Sequence, residues 1–214
     1  RSLPEFGGNL GGGKSWTLPN GNRLSVLASV GVSNENQILK DAYVTTMTAQ
    51  GTHLDKFNYD SYSSALKIAG LGNIGYSFRQ ADHINFTVFY ARNAINDYMS
   101  REGIDAEKNN ITSSNSVFHA YSLLNNQLLG HHELTSQWDV NWSASYGLTN
   151  SDEPDRRQVV FFRNEGSDKL NLFKLNQTTN RYIGELQEKE IVGDLRTSYK
   201  WGDANLVRVG GTYK

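Results

Sequence analysis

Apolar and polar residues alternate along this chain with a period of two, and no stretch of a dozen residues fits the 3.6-residue period of a helix better. Leu24, Val26, Ala28, Val30 and Val32 share one side of an extended segment whose other side carries Ser25, Leu27, Ser29 and Gly31. Leu66, Ile68, Ile74, Tyr76 and Phe78 repeat the pattern, with Gly70 and Gly72 on their face and Lys67, Ala69, Asn73 and Ser77 opposite. After a tight connection at Gln80-Ala81-Asp82, Ile84, Phe86, Val88 and Tyr90 face away from Asn85, Thr87, Ala91 and Asn93, so the two segments read as a hairpin. A further strand runs from about 115 to 129 and turns at Gly130-His131-His132-Glu133. It returns with the cleanest alternation of all, Trp138, Val140, Trp142, Ala144 and Tyr146 against Gln137, Asp139, Asn141, Ser143 and Ser145. Ile191 to Tyr199 and Val207 to Tyr213 form the last pair, joined at Trp201-Gly202-Asp203-Ala204. The prediction is an all-β, antiparallel up-and-down chain of seven strands, with an eighth where Gly11 to Leu18 pairs across Pro19-Asn20-Gly21-Asn22.

The turns near 80, 131 and 202 are short, whereas the stretches 33–63, 94–114 and 148–187 read as long polar loops. Compact soluble domains rarely carry several long irregular loops, while outer-membrane barrels pair short periplasmic turns with longer extracellular loops. The segments near 65–78, 115–129 and 134–147 are also long for globular strands, which average ~5–6 residues, and suit the ~9–11 needed to cross a bilayer. Tyr76, Phe78, Tyr90, Trp138, Tyr146, Tyr199, Trp201 and Tyr213 lie near predicted strand ends, where interfacial girdles sit, whereas a sandwich core would hold its aromatics at strand centres, as with Trp142. Residues 1–22 are thus expected to form a Gly-rich loop and partial first strand, and 23–214 a transmembrane β-barrel segment with apolar residues toward lipid and polar residues toward a lumen.

Composition narrows the function classes. Twenty-one Lys and Arg against 22 Asp and Glu leave a net charge of −1, which disfavours sequence-independent binding of nucleic acid. There is no Cys, so disulfides, thiolate nucleophiles, iron–sulfur clusters and Cys-based zinc sites are excluded. No apolar run approaches the ~18 residues of a transmembrane helix.

Two nucleotide-binding patterns occur letter for letter and fail on context. Gly8 to Ser15, GNLGGGKS, matches a phosphate loop, but Pro19 and Gly21 break the helix that would have to follow. Gly70 to Gly75, GLGNIG, matches the dinucleotide fingerprint, but Tyr76-Ser77-Phe78 continues the period of two and leaves no room for a crossover helix. His131-His132-Glu133 would place adjacent side chains on opposite sides of a turn, which does not chelate one ion. The glycosylation sequons at Asn85, Asn110, Asn141 and Asn176 are read as chance in an Asn-rich chain. Asp139 and Asp194 are the one carboxylate pair considered for acid–base work, and they are read as separate solvated lumen residues. Asp152-Glu153-Pro154-Asp155-Arg156-Arg157 is expected to be a self-paired loop base. No catalytic, metal, cofactor or ligand residue is assigned, no cofactor is expected, and the chain is not expected to be an enzyme.

Three stretches carry a family resemblance: LKIAGLGNIGYSFRQADHINFTVFYARN from Leu66, QLLGHHELTSQWDVNWSASYGLTNSDEPDRR from Gln127, and the closing YKWGDANLVRVGGTYK. Together they resemble the barrel of TonB-dependent outer-membrane receptors, especially the type with a carboxypeptidase-like regulatory domain common in Bacteroidetes. The resemblance implies a 22-stranded barrel in the bacterial outer membrane, plugged by an N-terminal domain and importing a nutrient with energy delivered through TonB. A siderophore, vitamin, glycan or peptide would suit as cargo, and a surface lipoprotein as a further partner. With seven or eight strands, no leader, no plug and no terminal aromatic, the chain is expected to be an internal piece of such a barrel. The alternatives are a self-contained eight-stranded outer-membrane barrel acting as an adhesin or structural protein, and a soluble glycan-binding β-sandwich.

Overall fold

A computed structural model describes residues 4–79, 81–107, 109–164, 166, 169–173, 179–202 and 204–214. They form one antiparallel sheet, with no helix among them. Its strands are β1 (Phe6–Thr17), β2 (Arg23–Val44), β3 (Lys56–Phe78), β4 (Asp82–Ile104), β5 (Asn110–Thr135), β6 (Trp138–Arg163), β7 (Leu170–Leu172), β8 (Asn180–Trp201) and β9 (Asn205–Tyr213). Each long strand pairs with its neighbour in sequence, except that β8 follows β6 across the sheet and the short β7 pairs with the end of β6. The order is therefore an up-and-down meander, as the alternation predicted. β1 and β9 are its two edges.

The hairpins explain the direction of travel. At β1–β2, Pro19 supplies the φ that the first central position of a turn favours, and Gly21 takes a φ of 81° that a residue with a Cβ adopts only with strain. The Gly21 N–H donates to the Leu18 carbonyl at 2.9 Å, and the Leu18 N–H donates to the Asn22 carbonyl at 2.7 Å. Short turns also join β3 to β4, β5 to β6 and β8 to β9, so all four lie at one end of the sheet, here called proximal. Gln80 and Asp203 of the predicted turns lie outside the described residues.

Two expectations shift. The stretches 33–63, 94–114 and 148–187 are mostly strand, because β2 runs on to Val44, β3 starts at Lys56, β4 runs to Ile104 and β6 to Arg163. Asn34 and Asn36 on one face of β2, against Ser33 and Glu35 on the other, show why the period was invisible: both faces are polar there. The turn read at 130–133 lies further on, because β5 continues to Thr135 and its partner begins at Trp138.

The sheet stays open. It exposes 15220 Å², whereas a compact monomer of 24.0 kDa exposes about 9,900 Å². Among the described residues no side chain is fully buried. The one cluster of buried apolar residues, Phe57, Ile111 and Val160, sits at the distal end.

Candidate functional site: the two faces of the sheet

The register turns the alternation into geometry. Thr17, Arg23, Ser77, His83, His131, Asn141, Arg196 and Gly210 stand opposite one another in a single row across eight strands. Directly opposed residues share a face, so this row and every second residue from it define a polar face, and the intervening residues define an apolar one. The predicted faces of the segments at 24–32, 66–78, 84–90 and 138–146 are all found so arranged.

On the apolar face, Leu24 to Val32 of β2, Leu66 to Tyr76 of β3, Ile84 to Tyr90 of β4, Trp138 to Leu148 of β6 and Ile191 to Trp201 of β8 make one continuous band. Its members are exposed or half-buried, with Val30, Ile74, Phe86, Ile191 and Leu195 among the large apolar residues open to the surroundings. Both borders slant alike. β1 ends at Thr17 on the reference row, whereas β8 runs five residues past Arg196 to Trp201. At the other border the unbroken apolar run ends at Val32 on β2, two residues further out at Leu66 on β3, and at Ile191 on β8, a net shift of four residues from β2 to β8 in the same sense. With about 3.3 Å per residue and about 4.8 Å between strands, this stagger corresponds to strands inclined by roughly 30° to the band. A strip of ~10 residues at that inclination is about 30 Å tall, the thickness of a bilayer's hydrocarbon core.

Aromatic rings mark the proximal border. Tyr76 stacks on Phe78 at 5.7 Å, Phe78 lies 5.8 Å from His132, His132 stacks on Trp142 at 6.4 Å, and Tyr199 stacks on Trp201 at 6.5 Å. Trp138 donates its indole N–H to Thr197 Oγ1 at 2.6 Å. Tyr90 and Tyr146 stand near the distal border. Beyond it the same face turns polar, with Gln187 Nε2 donating to Asn150 at 3.0 Å and Asn150 Nδ2 donating to Ser122 at 3.3 Å.

A hollow of about 980 Å³ lies against the polar face, with His83, His131, Asn141 and Arg196 in its lining. Across β1 to β6, the four rows that follow the reference row, from Ser15–Ser143 to Asn9–Thr149, contain no charged residue. Amides and hydroxyls there bond to one another, as where Asn73 Nδ2 donates to Asn85 at 2.5 Å and to Thr87 at 2.7 Å.

The candidate residues of the sequence fall into place on this frame. Gly8 to Ser15 is part of edge strand β1, and Gly70 to Gly75 is mid-strand in β3, so neither opens a helix. His131 and His132 lie on opposite faces of β5: His131 Nδ1 meets Asn141 Oδ1 at 2.8 Å, while His132 joins the aromatic border. Among the described residues no three His, Asp or Glu side chains converge as metal ligands. Asp139 and Asp194 share the polar face and both line that hollow, but they do not oppose each other, since Asp139 stands opposite Ser198, four residues along β8. Asp139 accepts from Asn141 at 3.1 Å, and Asp194 takes Arg196 at 3.0 Å and Thr212 at 2.8 Å. Asn85 and Asn141 are in strands and Asn110 begins β5, while Asn176 lies outside the described residues.

Asp152 to Arg157 is self-paired, but inside β6 and not in a loop. The register slips between Glu153 and Arg156, a bulge that accommodates Pro154, which has no N–H to give the ladder. The slip sends the two acids apart. Glu153 points to the polar face, where His119 Nε2 lies 2.5 Å from Oε2 and Arg156 Nε 2.5 Å from Oε1. Asp155 bonds Arg157 and, at 2.8 Å, Arg181. Burial works against the Glu153 carboxylate, but the hydrogen bonds and charges of His119 and Arg156 together outweigh it and hold its pKa below the ordinary value. The Arg157 hydrogen bond leads the causes that lower Asp155 against its own desolvation. His119 and Glu153 are 34 positions apart, and only the register brings them together.

No family model matches this chain, and no curated protein matches it either.

Proposed function

We propose that this chain is part of the wall of a bacterial outer-membrane β-barrel, of the TonB-dependent receptor type, through which a nutrient is imported. The observation that carries the reading is the slanted apolar band: 7 residues tall on β4, 9 on β2 and 11 on β3 and β6, uncovered by any second layer, about as tall as a hydrocarbon core, and lined by rings along its proximal edge. A soluble sandwich would cover that face with a second sheet. The uncharged rows of the polar face, which mix amides and hydroxyls with glycine and with Leu27, Leu71, Phe89 and Leu123, then line the lumen, and the polar distal halves of the strands rise into the extracellular medium. The plug, TonB and a surface lipoprotein enter as partners of the whole receptor, and the chain's own part is passage rather than chemistry.

A wider barrel is preferred to a self-closed one of eight strands because the interior of so narrow a barrel is packed with side chains, and no described side chain is fully buried here. The exposed edges β1 and β9 then pair with further strands of the same wall. Refolding the 214-residue chain with and without detergent, then running it on a gel with and without boiling, tests both points. It is expected to need detergent and to show no heat-shifted band. A well-behaved monomer in plain buffer overturns the membrane reading, and a compact band that shifts on heating overturns the wider barrel.

A further inference from the structure

A line of large apolar side chains stands on the polar face, away from the band. Leu71 and Phe89 oppose each other in the register, Leu27 lies diagonally next to Leu71 and Leu123 diagonally next to Phe89, with Tyr121 two residues further along β5. Opposed residues on one face are about 5 Å apart and diagonal ones about 7–8 Å, so the five side chains form a contiguous stripe. Leu27, Leu123 and Tyr121 are exposed, Leu71 and Phe89 half-buried. Leu27 shares its row with Gln127, three strands away, and Tyr121 lies six residues beyond Gln127 on β5. The stripe therefore covers about 20 Å along the strands and about 14 Å across them, about 36° from the strand direction. The direction at right angles to the slanted band departs from the strands toward β8 by roughly 30°; the stripe departs the same way, so it stands nearly upright on the band and rises about 24 Å. Beside its upper half lies a second hollow, of about 730 Å³, with Gly31, Ala69, Ala91, Leu123 and Tyr121 in its lining. Lys67, also in that lining, is held by Glu35 at 2.6 Å. Leu129, another large apolar residue of the uncharged rows, stands apart in the charged hollow.

We propose that the stripe is a slide for the apolar flank of an uncharged, hydroxyl-bearing cargo, with the hollow as its upper station. This rests on the reading of the polar face as a lumen. Leucine and phenylalanine open to a water-filled lumen gain by being covered, and a contiguous apolar patch on an exposed face marks a binding surface. From β1 to β6 the rows that carry Leu27, Leu71, Phe89 and Leu123 hold no charged residue. A charged occupant would lose hydration there and find no counter-charge. An occupant with hydroxyl groups meets Thr87, Asn125 and Thr149 beside the stripe while its apolar flank lies on Phe89, Leu123 and Tyr121, whose rings are flat platforms. Because the stripe is continuous, the next apolar contact is made before the last is given up, and no step of passage returns that flank to water.

Because the chain has no Cys, single cysteines in the full refolded chain report on the stripe by their rate of thiol labelling. Ala91→Cys sits in the upper hollow, Ser29→Cys opposite Leu71, and Ser198→Cys, the reference, in the charged hollow. The probe is phenyl glucoside, neutral, with one apolar and one hydroxyl-bearing flank; glucose and phenyl phosphate are its comparators, and the detergent is zwitterionic and free of sugar. At about 10 mM the probe is expected to slow labelling at 91 and 29 about fivefold, the protection of a site half-filled at about 2.5 mM, and to leave 198 unchanged. Glucose, which lacks the apolar flank, and phenyl phosphate, which is charged, are expected to protect neither position. Tyr121→Ala is expected to remove the protection at 91, and Tyr121→Phe, which keeps the ring, to retain it. Absence of protection by phenyl glucoside at 91 and 29 overturns the slide. Equal protection at 198, or equal protection by glucose or phenyl phosphate, overturns it as well, since binding would then follow neither the stripe nor the neutral apolar flank. The stripe faces away from the band, so labelling is read in detergent or in plain buffer alike, and its failure is separable from failure of the membrane reading.

Discussion

The indole of Trp142 lies over the backbone of Gly130, its partner in the register, so that a Cβ at Gly130 would overlap the ring. The glycine lets this indole lie against the neighbouring strand on the apolar face and reach His132. Gly130→Ala is expected to push the ring off its seat and to cost about 1–3 kcal/mol, the usual range for overpacking. Gly193→Ala is the comparison, because a Cβ there meets nothing within 4 Å. Urea unfolding of the two variants in micelles checks the difference, and equal midpoints would refute it.

Asp82 braces two proximal turns at once. Its side chain is buried, Oδ1 accepts the Glu133 N–H at 2.8 Å, and Arg79 approaches Oδ2 at 3.6 Å. Asp82→Ala leaves the part-buried Glu133 amide of the β5–β6 hairpin without its partner, at a cost of about 0.5–1.5 kcal/mol. Faster exchange of the Glu133 amide, with the distal halves of the strands unchanged, is the expected signature.

How much of this was legible depended on contrast between faces. Leu24 to Val32 could be placed because valines alternate with serines, and the register confirms every one. From Ser33 to Gln37 both faces are polar, and a strand with nothing to bury on either side looks like a loop. Pro154 and its charged neighbours misled for a related reason, since a bulge tolerates what a regular central strand does not. Phe57, Ile111 and Val160 were hidden in stretches read as loop, and nothing local links residues so far apart; only the pairing of β3, β4, β5 and β6 does so.

Acid should loosen the distal half of β6 before the rest. Glu153 and Asp155 both have folded pKa values below their ordinary ones, so the unfolded chain takes up protons first. Their contribution is therefore present above the ordinary carboxylate range, ~4, and is lost as pH falls through the lower folded values. Exchange protection at 152–157 and 180–182 is expected to drop between pH 5 and pH 2–3 (roughly), and Glu153→Gln to flatten part of that dependence. A profile identical in Glu153→Gln and the unaltered chain would remove Glu153 as a cause.

Depth should matter more than chemistry on the apolar face. Val30 is exposed and lies inside the band, two residues short of its border at Val32, whereas Ser64, also exposed and on the same face, lies two residues beyond the border at Leu66. In a bilayer, Val30→Arg moves a charge into the edge of the hydrocarbon, at a cost between the about 2–4 kcal/mol of the midplane and the about 0–1 of the interface, while Ser64→Arg meets headgroups or water at about 0–1. In plain water the order would not hold, since both side chains would be solvated. Refolding yield and urea midpoint in lipid vesicles are therefore expected to fall for Val30→Arg and to stay near the unaltered value for Ser64→Arg. Equal tolerance of the two substitutions would mean that the band faces something other than lipid.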